Sequence, residues 1–202
     1  GAKVLQLRAV EYASKFNLPI RVLSSFNGGE GTLVQEEKNI MERPIVSGIS
    51  SIDTEAKLTI RGVPDVPGVA AKILSPISDA GIEVDVIVQN IGADNNTDFT
   101  FTVDKSDAKA AEEILQKTSQ NLGGGSIELD DDIAKISIVG RGMRAHAGVA
   151  SKMFQALAKS EINISMITTS EIKISVVIKK SEMTTAVTAL HDAFDLDKEL
   201  DA

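Results

Sequence analysis

The sequence predicts an α+β protein of two ferredoxin-like βαββαβ units, the first inserted within the second, on three observations. Residues 56–116 and 134–191 repeat one another: Ala56-Lys57-Leu58-Thr59-Ile60-Arg61-Gly62 returns as Ala134-Lys135-Ile136-Ser137-Ile138-Val139-Gly140. Gly68-Val69-Ala70-Ala71-Lys72 likewise returns as Gly148-Val149-Ala150-Ser151-Lys152. Each copy passes from period-two alternation to helical spacing in the order β-α-β-β-α, which a fourth strand would complete. Only the first copy has such a strand after it, so the second must take its own from elsewhere in the chain.

Residues 1–40 come first and differ in kind. Val4 to Phe16 reads as a helix, Ile20 to Leu23 as a strand, Asn27-Gly28-Gly29-Glu30-Gly31 as a loop and Thr32 to Val34 as a short strand. Nothing in this stretch closes a domain, and it reads as the end of a larger one. Residues 41–55 are a linker containing Ile45-Val46-Ser47-Gly48-Ile49-Ser50-Ser51, the best donor for the missing strand.

Residues 56–130 form the first unit. Leu58 and Ile60 alternate with Thr59 and Arg61, a strand with one apolar face. A loop from Gly62 to Gly68 leads to a helix with Val69, Ile73, Leu74 and Ile77 inward. Pro76 within it removes a backbone bond and predicts a kink. Strands follow at Val84 to Gln89 and Phe99 to Val103, joined through Asp94-Asn95-Asn96. A helix opened by Asp107 carries Ala111, Ile114, Leu115 and Thr118 inward, and Ser126 to Leu129 is the fourth strand.

Residues 131–202 form the second unit. Its strands are the Ile136 and Ile138 segment, Ile164 to Thr168 and Ile172 to Ile178. One helix buries Val149, Met153, Phe154 and Leu157, and the other, started by Ser181 or Glu182, buries Ala186, Val187, Leu190 and Phe194. Asp195 to Leu200 reads as a charged tail.

Composition excludes several classes of function. The net charge of −8 opposes nucleic acid and anionic membranes as partners. With no cysteine there is no disulfide framework or thiol nucleophile, in keeping with a cytoplasmic protein. His146 and His191, the only histidines, make no metal site, Asp130-Asp131-Asp132 reads as a solvated turn, and the hydroxyls lack a base partner. No catalytic residue, metal site or cofactor is expected. Both strand-to-helix loops instead end at a helix N-terminus, whose free N–H groups suit a carboxylate. Asp65 stands beside the first of them, as a partner for a ligand ammonium or as a simple helix cap. Gln89-Asn90 and Thr169-Ser170-Glu171 place polar side chains at equivalent strand ends, as ligand contacts or as turn chemistry.

Several strings resemble the C-terminal regulatory region of bacterial aspartate kinase, which carries two ACT domains. Lys57-Leu58-Thr59-Ile60-Arg61-Gly62-Val63-Pro64-Asp65 and Ile87-Val88-Gln89-Asn90 are similar to its first ACT domain. Ser137-Ile138-Val139-Gly140, His146-Ala147-Gly148-Val149-Ala150 and Thr169-Ser170-Glu171-Ile172 are similar to its second. Gly1-Ala2-Lys3-Val4-Leu5-Gln6 and Arg21-Val22-Leu23-Ser24-Ser25-Phe26 resemble the end of the kinase catalytic domain, whose nucleotide and aspartate sites lie earlier. Met41-Glu42-Arg43-Pro44 matches the region where, in several bacteria, an internal start yields a separate regulatory subunit. The chain alone is therefore expected not to phosphorylate aspartate.

The resemblance implies feedback sensing in the pathway from aspartate to lysine, threonine and methionine. Threonine, lysine or both would bind between ACT domains, the chain pairing with a second copy of itself and acting on a catalytic aspartate kinase subunit or domain. The implied threonine-type site comprises Asp65, Gly68, Val69, Ala70 and Gln89, with Asn163 and Ile164 from the facing domain. The implied second, lysine-type site comprises Met143, His146, Ala147, Gly148 and Val149 with Thr169, Ser170 and Glu171, paired with Asn90 and Ile91. Arg144 stands near the counterpart of Asp65, so the two sites differ in what they recognise. The alternative reading is a dimerisation scaffold that senses nothing.

Overall fold

The computed structural model describes residues 4–35, 45–92, 95–140 and 148–197. Residues 4–35 form a body of their own. It holds helix α1 (Leu7–Lys15) and an antiparallel pair, β1 (Ile20–Val22) and β2 (Thr32–Val34). Gln6 caps α1 by accepting from the Ala9 amide at 2.9 Å, and the helix buries no residue.

The second body begins with β3 (Val46–Ile52) and β4 (Glu55–Pro64). Helix α2 (Val69–Asp79) leads to β5 (Val84–Ile91), β6 (Asn96–Asp104), α3 (Ala108–Asn121) and β7 (Ser126–Asp130). The repeat then gives β8 (Ile133–Gly140), α4 (Val149–Lys159), β9 (Met166–Thr169), β10 (Lys173–Lys179) and α5 (Met183–Ala193). Two four-stranded antiparallel sheets result, in the orders β5-β6-β4-β7 and β9-β10-β8-β3. In the second sheet β3 holds the place that β7 holds in the first, pairing Ile49 with Ile138 and Ser51 with Ile136. Residues 55–130, which make the whole first sheet and its helices, thus lie in the chain between two neighbouring strands of the second.

Each sheet packs one face on its own two helices. Leu58, Ile60, Phe99 and Phe101 meet Ile73, Ile77 and Leu115 in the first unit. Ile136, Ile138, Val176 and Ile178 meet Met153, Leu157 and Leu190 in the second. Burying such a side chain is worth about 1.5–3 kcal/mol, so these two cores are the main stabilising contribution of each unit. The helix positions expected inward are buried or lie against these cores.

Helix α2 runs through Pro76 to Asp79, with the Pro76 carbonyl accepting from Ala80. Several sequence expectations are corrected. Strand β5 extends to Ile91, so Asn90 and Ile91 are strand residues. Ile164 precedes β9 instead of starting it. Leu196 packs on the second core, tied by its amide to His191, so the tail is not simply solvated. Asp94 lies outside the described residues.

The largest difference concerns the helix-free faces. Alternation in β8 predicts one solvated side, yet Lys135 and Ser137 are as buried as their apolar neighbours. Lys135 reaches across to Glu55 on β4 and Asp85 on β5, joining the open face of the second sheet to the first. Both open faces satisfy their hydroxyls in cross-strand pairs, Thr59 with Thr100 at 3.0 Å and Ser137 with Ser175 at 2.7 Å.

Candidate functional site

Three places in the second body gather polar groups: the Gly68 turn, the β9–β10 turn and a cavity between the open faces. At the first, β4 ends at Pro64 and the chain turns into α2 through Gly68, the helix N-cap, at φ 89° and ψ 0°. No side chain caps this helix. The Val69 amide donates to the Val66 carbonyl at 3.1 Å and the Lys72 amide to Gly68 at 3.0 Å. Between them, the Ala70 and Ala71 amides belong to the first turn, where helices have no internal acceptor. Asp65 therefore does not cap α2, which removes the alternative reading of this residue. Its amide donates to the Asn95 carbonyl at 2.8 Å, fixing the loop beside the hairpin whose β5 arm carries Gln89.

Asp65 is half-buried, and Gly68 and Gln89 are exposed. Val69 is a core residue, 3% exposed, so its side chain packs the interior. Asp65, Gly68, Ala70 and Gln89 are thus gathered at one end of the first sheet. Asn163 is exposed in the segment after α4, and Ile164 is half-buried, packed against the second core and bordering the cavity. The resemblance takes these two from a facing domain, and in the single chain Ile164 borders the cavity.

The repeat of this turn starts α4 from Gly148 at φ 101°, again without a side-chain cap among the described residues. Val149 is buried in the second core. Met143, His146 and Ala147, with Arg144, lie outside the described residues. Thr169 ends β9, and Ser170 closes the turn to β10, its hydroxyl accepting from the Lys173 amide at 3.1 Å. The Ser170 side chain is thus used in turn chemistry, while Glu171 is exposed. Asn90 lies on the helix-free face, where its carbonyl accepts from the Thr97 hydroxyl at 2.8 Å, and Ile91 is 77% exposed at the sheet edge.

The cavity has a volume of about 420 Å³. Its floor is the open face of the first sheet, with Lys57, Thr59 and Arg61 from β4, Asp98 and Thr100 from β6 and Val88 and Asn90 from β5. Its wall is the segment from Ile164 to Ile167. Arg61 is held by Glu128, through Nε at 2.8 Å and Nη2 at 2.9 Å, and donates from Nη1 to Asp98 at 3.2 Å. The Arg61 guanidinium holds the Glu128 carboxyl below the usual carboxylate range, and Glu128 in turn raises Arg61. Asp98 also accepts from the Gly62 amide at 2.9 Å.

Sequence reasoning missed this cavity and the Lys135 ion group. A signal was present: Lys57 and Lys135 occupy the same place in the two copies, as do Thr59 and Ser137. Charged and hydroxyl side chains repeated on a strand's non-core face mark a face with its own partner. Among the described residues, no group of three or more acidic or histidine side chains could hold a metal ion, and no helix is long and apolar enough to cross a membrane.

Residues 58–120 and 136–194 each match the ACT domain family. The chain is 50% identical to a chain in a crystal structure of aspartokinase alpha and beta subunits, at a TM-score of 0.70, covering 75% of this chain and 99% of that one. It is 40% identical to the ligand-free regulatory subunit of aspartate kinase from Thermus thermophilus, at a TM-score of 0.71, covering 74% of this chain and 99% of that subunit. The chain belongs to the ACT-domain regulatory region of the aspartate kinases. It is also 62% identical over 198 residues to the aspartate kinase of Pseudomonas fluorescens, covering 98% of this chain and 48% of that protein. It therefore spans about half the length of such relatives, and this regulatory region is not catalytic by itself.

Proposed function

We propose that this aspartate kinase region senses end-product amino acids, binding threonine, lysine or both at seams between ACT domains and lowering the activity of an attached or associated catalytic domain. In this reading residues 1–40 are the end of that catalytic domain and residues 41–55 a linker with a donated strand. Residues 56–130 and 131–202 are then the two ACT domains. The carrying observation is the Gly68 turn: an α-helix with no side-chain cap, first-turn amides open to a carboxylate, and Asp65 in the loop that leads into them. An amino acid carries the complementary pair of charges. Ile164 lies away from this turn in one chain, so Asn163 and Ile164 of a second copy would complete the seam, which makes the sensor a homodimer. The corresponding Gly148 turn, with Thr169 to Glu171 and with Asn90 and Ile91 of the other copy, is the second seam.

Isothermal titration calorimetry with threonine and lysine tests this reading. Asp65→Ala should weaken threonine binding by about 1.5–3 kcal/mol, the range for a hydrogen bond to a charged group. No heat from either amino acid, on folded dimeric protein, would remove the sensing role. A second reading, a scaffold that only holds two kinases together, is favoured by the open edges of β5 and β9, where Ile91 is 77% and Ile167 47% exposed. Under it, neither amino acid shifts the melting temperature. A ligand at 100 times its Kd adds about 2.7 kcal/mol of stability, so the two readings separate cleanly.

A further inference from the structure

The cavity between the two open faces contains none of the Gly68-turn residues. Elsewhere those faces meet through Lys135, neutralised by two carboxylates of the other sheet, and the Ser137–Ser175 hydroxyl pair is buried. At the Arg61 end they part and leave about 420 Å³, within the range of small-ligand sites and room for roughly a dozen waters. Sheets packed only for stability close such a gap with side chains.

The lining defines a chemistry. Arg61 is fixed before any ligand arrives: three of its N–H groups are bound to Glu128 and Asp98, and a guanidinium has five. Lys57 lies on the same strand face, about 13 Å away at a strand's rise per residue. Its side chain is 20% exposed, and its ammonium pairs with Asp130 at 3.3 Å. Asp98 is held by the Gly62 amide and by Arg61, and so offers an anion at a set place. Val88, Ile164 and Met166 supply an apolar flank. A cation, an anion and apolar surface within one small chamber match a zwitterion with a side chain.

We propose that this intersheet cavity is a binding site for a free α-amino acid, distinct from the Gly68 turn though Ile164 and Asn90 border both the cavity and the proposed seams, with the ligand carboxylate at Arg61, its ammonium at Asp98 and its side chain against Met166. The lining alone carries this assignment, which stands whether or not the seam binds threonine. The wall segment follows directly on Asn163, so an occupant bears on the residues that the seam reading takes from the facing domain.

Methyl-labelled methionine gives a local readout, since Met166 lies in the wall and Met153 in the second core. The whole chain, with [13C]methyl-methionine and the Met166 signal assigned through Met166→Leu, is titrated by NMR with threonine, lysine, methionine and aspartate, each to about 10 mM, an upper bound for weak sites. The expected result is a saturable shift of Met166 with at least one of them, kept in Asp65→Ala and weakened at least tenfold in Arg61→Gln. Asp98→Asn, which keeps an acceptor for the Gly62 amide but removes the proposed ammonium partner, serves if Arg61→Gln does not fold, and should weaken the same shift. No Met166 shift with any probe, a shift abolished by Asp65→Ala, or one unaffected by both cavity variants overturns the proposal.

Discussion

Lys135 is the side chain on which the two ACT sheets meet, and its environment sets what its loss should do. It is 3% exposed, and both of its carboxylate partners, Glu55 and Asp85, belong to the other sheet. Replacing it with Met fills the volume but strands Glu55, whose Oε2 already lacks a hydrogen-bond partner among the described residues. Lys135→Met should therefore destabilise the fold by about 3 kcal/mol, at the lower end for breaking a buried pair because Asp85 can rehydrate; urea midpoints measure it. Burial pushes the Asp85 carboxyl up, but its hydrogen bond and charge pairing with Lys135 outweigh this and leave it lowered. A lowered folded-state carboxyl stabilises above its unfolded value, about pH 3.9, and loses that contribution as pH falls through the lower folded value. Burial likewise depresses Lys135, while its two carboxylates more than compensate and raise it, so its share holds below about pH 10.4 and fades as pH rises through the raised value. Wild-type stability should then drop below about pH 4 more steeply than that of Lys135→Met, and urea midpoints from pH 3 to 8 converging in acid are the expected pattern.

The elements show why some features were legible in sequence and others were not. Period-two runs such as Phe99, Phe101 and Val103 and helical runs such as Val149, Met153 and Leu157 announce their cores because burial on one face imposes a period. The Gly68 turn was legible as a helix start because it recurs at Gly148. Its left-handed backbone was not, because a lone glycine does not report its φ. The open faces were misread: Thr59, Lys135 and Ser137 look like solvent residues, and only sheet-on-sheet packing turns them inward, which local pattern cannot encode. The cavity stayed hidden for the same reason, since Arg61 and Ile164 are 103 residues apart in sequence and share no repeat position. The glycine geometry makes its own prediction. Among the described residues nothing lies within 4 Å of a Cβ built at Gly68 or Gly148, so the cost of alanine there is that of the left-handed backbone. Each substitution should cost about 1–2 kcal/mol in thermal or urea unfolding. A smaller effect at either site means that the turn relaxes to a conformation an ordinary residue accepts.

At the scale of the molecule the crossed connectivity matters most, because it ties the stability of one ACT unit to chain that precedes the other. Strand β3 covers the β8 edge over six paired positions and contributes Val46 to the second core. Sheet β5-β6-β4-β7 contains nothing upstream of Glu55. A chain starting at residue 53 should therefore keep the first unit and weaken the second, which would expose the unpaired edge of β8 and a gap where Val46 packed. Hydrogen exchange read by mass spectrometry distinguishes the two units directly. Peptides covering β8 and β10 should lose protection, those covering β4 and β6 should retain it, and a synthetic peptide of residues 45–52 added in trans should restore part of the loss. The Lys135 group lies at the end where β8 leaves the first unit, so some loosening should also reach Glu55 and Asp85, though less than at β8. If both units lost protection together, the open-face contact and not the donated strand would be the dominant coupling, and a ligand held between those faces would then have more leverage on the whole regulatory region than one at an outer seam.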